Sequence, residues 1–390
     1  MISVSEARAH LLALVSKLET EEVPLAEAAG RVLAEDMQAR RDQPPFSASA
    51  MDGYAVNAAE VEMHAMFKVI GEAAAGHAFD GRVGAGQAVR IFTGAPVPEG
   101  ASFVVIQEDV TRTGNLITIT GEPGSNHNIR PRGGDFTDGE TVSAPRLLTA
   151  ADVALLAAMN IPSVPVARRP EVALISTGDE LMMPGGTPGP DQIIASNTFG
   201  LKAMLEGFGA RARILPIARD TESSLRTAFE LAEGADLVVT IGGASVGDHD
   251  LVGKVAQDAG MERSFYKVAM RPGKPLMAGR MNSAAMVGLP GNPVSAMVCG
   301  HVFLAPVIRA MLGLPDTGQP LLSAPLAEPL TANSPREHYM RARVEDGKIR
   351  AFPDQDSSLL TVLAGANALL IRPPGDGARD AGEPVQYLPI

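Results

Sequence analysis

From residue 169 to residue 312 the sequence alternates short apolar runs with amphipathic segments, and this alternation restricts the fold more than any other feature. "EVALIST" is a continuous apolar run, and "SNTFGLKAMLEGFG" has helical spacing and ends on glycine. "RARILPIA" then reads as strand, "TESSLRTAFELAEG" as helix and "ADLVVTIGG" as strand. The pattern continues through "HDLVGKVAQDAG", "RSFYKVAM", "PLMAGR" and "AAMVGLPG" to a long apolar helix from about Pro293. Strand and helix in alternation predict a largely parallel sheet covered by helices. Ligands of such sheets bind beyond the carboxyl ends of the strands.

The polar loops sit at those ends. "STGDEL" places Ser176, Thr177, Asp179 and Glu180 after the first strand, and "ARD" places Asp220 after the next. "GGASVGDHD" follows the third, carrying Gly242, Gly243, Ser245 and Asp250. "MRPGKP", with Arg271 and Lys274, and "GLPGNPVS", with Pro290 and Pro293, follow later strands. Converging on one edge, they would combine N–H donors, hydroxyls and cations for an oxyanion with carboxylates for a hard cation.

Gly243-Ala244-Ser245-Val246-Gly247 also matches the G-x-S-x-G elbow of serine hydrolases, in the required strand–turn–helix setting. A triad needs an acid and then a histidine later in the chain. His301 lies in an apolar helix and His338 in a distant β-like segment. Two adjacent glycines and flanking carboxylates suit an anion and metal cradle better than an elbow.

Elsewhere the texture differs. Ser3-x-x-Glu6 is a capping box opening a helix with Ala7, Leu11, Leu14 and Leu18 on one face. "LAEAAGRVLAED" predicts a second short helix, and "TAADVALLAAMN" another capped by Thr149. Between them, "QAVRIFTG", "SFVVIQEDV" and "LITIT" are short β-like runs separated by turns. Residues 1–40 and 140–168 therefore read as a helical domain, interrupted by a β-rich insertion at 41–139. That insertion carries Asp52, Thr93, Glu108, Asp109, Arg130, Arg132 and Asp135 in loops, a second wall for the same cleft. After the α/β segment 169–312, residues 313–390 return to short strands.

Composition excludes several classes. A chain of 390 residues exceeds one core, and three or four domains are expected. A net charge of −12 argues against a nucleic-acid partner. The single cysteine, Cys299, forbids an internal disulfide and reads as core. The N-terminus lacks the apolar stretch of a signal peptide, and no run reaches the roughly 18 apolar residues of a membrane span. A cytoplasmic chain with no membrane partner is expected. There is no phosphate-loop motif, no H-E-x-x-H and no zinc spacing among the histidines.

"SAMDGYAV", "TGAPVPEG", "STGDEL", "GGASVGDHD", "PGKP" and "GLPGNPVSA", in this order and spacing, carry a resemblance. The chain resembles the bacterial MoeA family of molybdopterin molybdenumtransferases, related to the E domain of gephyrin, over nearly its whole length. The resemblance implies a multidomain α/β plus β architecture. Its parts are a helical domain, an inserted β domain, an α/β sandwich of molybdopterin-binding type and a C-terminal β barrel. It implies an elongated homodimer, with each cleft between the α/β domain of one subunit and the inserted β domain of the other. The implied reaction takes adenylylated molybdopterin and molybdate, hydrolyses the adenylate with Mg²⁺ and releases AMP. A molybdopterin adenylyltransferase is the implied partner supplying substrate.

Residue by residue, the resemblance assigns catalysis to Asp52, Thr93, Asp135, Glu180, Asp220 and Asp250, the last three also holding Mg²⁺. It assigns substrate binding to Ser176, Thr177, Asn197, Gly242, Gly243 and Ser245, and to the basic Lys267, Arg271 and Lys274. Pro290 and Pro293 shape the adjoining loop, and Arg336, Arg341, Ser357 and Ser358 match a segment implicated in holding oxyanions. The chain departs from the pattern at Gly134, where an acid is usual, and at Arg271, where lysine is usual. "PDQDSS" also lacks the usual Gly-His-Gln lead-in. A non-enzymatic, gephyrin-like scaffold is the competing reading; the intact acidic positions weigh against it.

Overall fold

The computed structural model describes residues 1–243, 251–315, 318 and 320–390. The apolar runs form a sheet ordered Arg211–Ile214, Glu171–Ser176, Leu237–Ile241, Ala284–Leu289, Met277–Met281 and Met261–Tyr266. The first four run parallel, with Ser176 opposite Ile241 and Ile241 opposite Leu289. Met277–Met281 runs antiparallel to both its neighbours, so the sheet is mixed only towards one edge. Every residue of Leu237–Ile241 and of Ala284–Leu289 is buried. Covered on both faces, such strands have no use for polar alternation. On one face Leu174, Val239 and Leu289 pack with the helix Asn197–Gly207 and the apolar helix beyond Pro293. On the other, Ile175, Val238 and Met286 meet the helices Glu222–Leu231 and Leu251–Asp258.

One expectation needs correction. Residues Pro293–Met311 are helical for 19 residues and apolar enough, by length and composition, to cross a membrane. In this chain 78% of that stretch is buried in the protein. It packs through Val294, Val298, Phe303 and Ile308 into the core of the α/β sheet, which accounts for its composition. A π turn at Gly300–Leu304 separates its two α-helical parts.

The capping box forms as read: Ser3 Oγ accepts from Glu6 N at 3.1 Å, and the Glu6 carboxylate accepts from Ser3 N at 2.8 Å. The helix it opens, Val4–Leu12, buries Val4, Ala7 and Leu11 in the core of the α/β sheet. The second predicted helix does not form. Leu25–Glu27 is a single 3₁₀ turn, Gly30 adopts φ +73°, and Val32–Leu33 is a strand. A short sheet, ordered Thr20–Pro24, Ser163–Ala167, Val32–Leu33, Arg146–Leu147, stands where a helical unit was expected. The tertiary partners Leu147 and Val166 overrode the helical propensity of the alanines. Only Ala150–Ala158, capped by Thr149, is helical there. Arg168 ties this unit to the α/β sheet with two 2.9 Å bonds to the Asp236 carboxylate, which also accepts from Glu171 N at 2.8 Å.

The β-rich insertion forms a sheet ordered Phe103–Ile106, Gly53–Val56, Gln87–Ile91, Met66–Ala73, Leu116–Ile119, Val110–Thr113, with apolar clusters on both faces. At the C-terminus, Glu337–Glu345, Ala368–Arg372, Pro384–Pro389 and Leu322–Pro325 pair in sequence, and Lys348–Ala351 pairs with the first. The sheet curls until Leu326 bridges Ile349, closing a barrel around Leu370, Ile349 and Val385.

Leu174 is fully buried at the centre of the parallel strands. Leu174→Ala should cost about 2–5 kcal/mol. A urea midpoint for the α/β transition equal to that of the parent chain would contradict this packing.

Candidate functional site

The parallel strands deliver their loops to one edge, and backbone bonds lock the loops together. Thr177 N donates to Ile241 O at 3.0 Å, Gly242 N to Leu289 O at 3.1 Å and Gly178 N to Ala218 O at 3.1 Å. Ser176 and Thr177 are buried. Gly242 and Gly243 have φ of +91° and +64°. A Cβ on Gly242 would lie 2.7 Å from Thr177 O, and one on Gly243 2.3 Å from Val252 Cγ2, so only glycine fits this turn. Asn197 Nδ2 donates to Gly291 O at 2.7 Å, gripping the "GLPGNP" loop. Pro290 in that loop is buried, and Pro293 opens the helix behind it with Asn292 as N-cap.

Glu180 and Asp220 are exposed carboxylates at the same edge. Asp179 holds the Asp220 loop: its carboxylate accepts from Asp220 N at 3.3 Å and its carbonyl from Arg219 Nη1 at 2.8 Å. Both acids are the hard oxygen donors that Mg²⁺ takes. Ser245 and Asp250 lie outside the described residues. Among the described residues no three His, Cys, Asp or Glu side chains form a metal-binding group.

The cations gather where the α/β domain meets the barrel. Met270–Arg271 adds to the barrel sheet, with Arg271 opposite His338. Lys267 adopts φ +71° and sets its Nζ 4.9 Å from the Tyr266 ring centre. Lys274 is exposed, and its carbonyl accepts from Val268 N at 3.1 Å. Arg336 is half-buried. Arg341 is wholly buried; its Nη2 donates to the carbonyls of Asp354 at 3.3 Å and Asp356 at 3.0 Å. Its Nε and Nη1 have no hydrogen-bond partner among the described residues. A buried guanidinium with two free donors is costly unless an anion completes it. Ser357 joins the two domains, accepting from Asn292 Nδ2 at 3.0 Å and, through its carbonyl, from Val294 N at 3.1 Å. The Ser358 hydroxyl instead donates to Asp356 Oδ1 at 2.7 Å, which helps hold that carboxyl below its ordinary range.

In the inserted domain Asp52 and Thr93 come together. Thr93 N and Oγ1 each donate to Asp52 Oδ1 at 2.8 Å. Gly53, next to Asp52, lies so close to the neighbouring strand that a Cβ would sit 2.0 Å from Val105 O. Asp135 is exposed, its backbone N donating to Gln43 O at 2.9 Å. Among the described residues no hydrogen bond or ion pair joins Asp52, Thr93 or Asp135 to the strand ends of the α/β sheet.

His301 meets the core reading: it is largely buried against Phe208, and burial lowers its pKa to about 4. Burial likewise raises the Cys299 thiol. Asn292 escaped the sequence reading, although an Asn-Pro pair opening an apolar helix signals it. His338, weighed in the sequence only as a triad histidine, is buried in its strand, a burial set by pairing with segments far away.

A strand-end cradle on a molybdopterin-type α/β fold, flanked by two β domains, defines a class, and comparison with known proteins agrees. Residues 173–310 match the family model "probable molybdopterin binding domain". Residues 2–160 match the MoeA N-terminal region, domains I and II, and residues 323–390 the MoeA C-terminal region, domain IV. The chain is 35% identical over 400 residues to a molybdopterin molybdenumtransferase of Haemophilus influenzae, covering 100% of this chain and 99% of that one. It is 34% identical over 407 residues to one of Bacillus subtilis, covering 100% and 94%. The solved structure of a molybdopterin biosynthesis MoeA protein from Pyrococcus horikoshii superposes with a TM-score of 0.86 at 28% identity, both chains being fully covered. The chain belongs to the MoeA family of molybdopterin molybdenumtransferases.

The two Thr93 donors lower the Asp52 pKa. Any stability this group contributes is full above the ordinary carboxylate range and is lost as pH falls through the lowered value. Thr93→Val removes the hydroxyl donor and keeps the amide, so the Asp52 pKa should rise part of the way back. A carboxylate titration followed by carbon NMR reads this directly, and an unmoved titration would refute the arrangement.

Proposed function

We propose that this chain inserts molybdenum from molybdate into adenylylated molybdopterin, with Mg²⁺-dependent hydrolysis of the adenylate and release of AMP. The carrying observation is the buried Arg341, whose two free donors lie in a cationic cluster with Arg271, beside the strand-end cradle of a MoeA-family chain. Molybdate is a tetrahedral dianion, and a guanidinium with free donors suits it. In this reading Lys267 and Lys274 add charge, and Ser357 adds a hydroxyl. Ser176, Thr177, Asn197, Gly242 and Gly243 build the pterin and phosphate end. Mg²⁺, held by Glu180, Asp220 and Asp250, would neutralise charge developing on the leaving phosphate. In this reading Ser245 donates a hydrogen bond and is no nucleophile. A molybdopterin adenylyltransferase supplies the substrate.

The test is incubation of the chain with adenylylated molybdopterin, Mg²⁺ and molybdate, with AMP release as readout. Lys274→Ala should reduce molybdate-dependent turnover about 10- to 100-fold, the scale of a lost charged hydrogen bond. Wild-type protein that releases no AMP while binding molybdopterin would favour the scaffold reading.

The active unit in this proposal is a homodimer whose clefts are each completed by the other subunit. The lack of any hydrogen bond or ion pair between the two groups among the described residues supports it, as do Met51 and Phe46 in the chain near Asp52 and Ile193 and Ile194 near Glu180, all exposed apolar side chains. A dimer with Asp52→Ala in one subunit and Asp250→Ala in the other has one doubly damaged site and one intact site. Mixing the two inactive mutants should therefore return about a quarter of wild-type turnover, with half the protein in mixed dimers. Confirmed subunit exchange without any gain in activity would mean that both groups act within one chain.

A further inference from the structure

His338 is 7% exposed, and its Nε2 has no hydrogen-bond partner among the described residues. Strand register places it between two arginines: Arg271 lies opposite on one side and Arg372 on the other. The charges of Arg336 and Arg341 also act on the imidazole, from farther along the chain. Their own partners are uneven. Arg372 is paired with Asp376, and Arg341 is approached by Asp354 and Asp356. Arg271 and Arg336 form no ion pair among the described residues. The neighbouring Glu337 accepts the Tyr339 hydroxyl at 2.6 Å. A histidine buried among cations, with a ring nitrogen left over, gains nothing structural from being a histidine. Glutamine would hydrogen-bond as well, and leucine would pack as well.

We propose that His338 is the proton-binding member of the oxyanion site, so that an oxyanion docking on Arg271 and Arg341 brings a proton from solvent onto Nε2. This rests on the reading of that cluster as the oxyanion site. In the empty site, burial and the four cations hold the imidazole neutral, with a pKa down to about 4. A dianion on Arg271 and Arg341 cancels much of that field and raises the proton affinity of His338. Linkage makes the effect reciprocal: a proton on His338 tightens anion binding by the same factor. The imidazole becomes imidazolium, and no other bond changes. His338 thereby acts as a positioning residue that adds positive charge only when the anion is present, avoiding a permanent fifth cation beside the four arginines.

The experiment is calorimetric titration of the full chain with molybdate and, separately, with sulfate, in pairs of buffers differing in ionisation enthalpy. Sulfate does not titrate in this range, so any proton taken up with it belongs to the protein. The wild type should take up a fraction of a proton per anion near about pH 6, and its Kd should fall up to about tenfold between about pH 8 and about pH 5. His338→Gln should bind both anions with a Kd that barely changes with pH and with no uptake. His338→Asn serves the same purpose if the glutamine variant melts early. Wild-type binding without proton uptake, or equal uptake in the variants, overturns the role of His338 and leaves the oxyanion reading standing. Failure of the wild type to bind either anion overturns both.

Discussion

The in-register parallel pairing of Glu171–Ser176 with Leu237–Ile241, and of that strand with Ala284–Leu289, is the constraint on which the rest depends. It brings three chain reversals to one edge at one height. The bonds from Thr177 to Ile241 and from Gly242 to Leu289 extend the ladder just past the strands, so the cradle is a continuation of the sheet. A slip of one residue would turn each buried side chain to the opposite face and pull the loops out of alignment. The double cover of helices makes such a slip prohibitively costly, since Val238 and Val239 are both buried, on opposite faces.

The charges follow from this frame. Polar groups at the edge are exposed carboxylates and backbone donors, tolerable in water. Arg341, buried like Arg31 and Arg372, comes from the barrel, where Gln355 holds its backbone by two bonds of 2.9 and 3.0 Å. The sheet thus supplies a rigid floor, and the barrel holds the Arg341 guanidinium in one fixed, buried position.

The α/β segment was legible because apolar runs without alternation, broken by amphipathic helices, admit few architectures. Its strand-end residues were legible for the same reason. Illegible were features decided by distant partners. "LAEAAGRVLAED" has the composition of a helix, yet Gly30 and the pairing of Val32–Leu33 with Leu147 and Val166 make it turn and strand. The Pro293–Met311 helix shows the converse: a stretch apolar enough for lipid is apolar here because protein surrounds it. Asn292 and Ser357 were each visible in the sequence, but nothing in the spacing of residues 65 apart announced their bond.

That bond has a mechanical meaning. Asn292 caps the helix behind the "GLPGNP" loop, and Ser357 belongs to the segment that holds Arg341 in place. The Val294–Ser357 backbone contact doubles the joint. The "GLPGNP" loop and the segment that bonds Arg341 are therefore pinned to each other by one side-chain and one backbone bond, so a displacement of either segment is transmitted to the other.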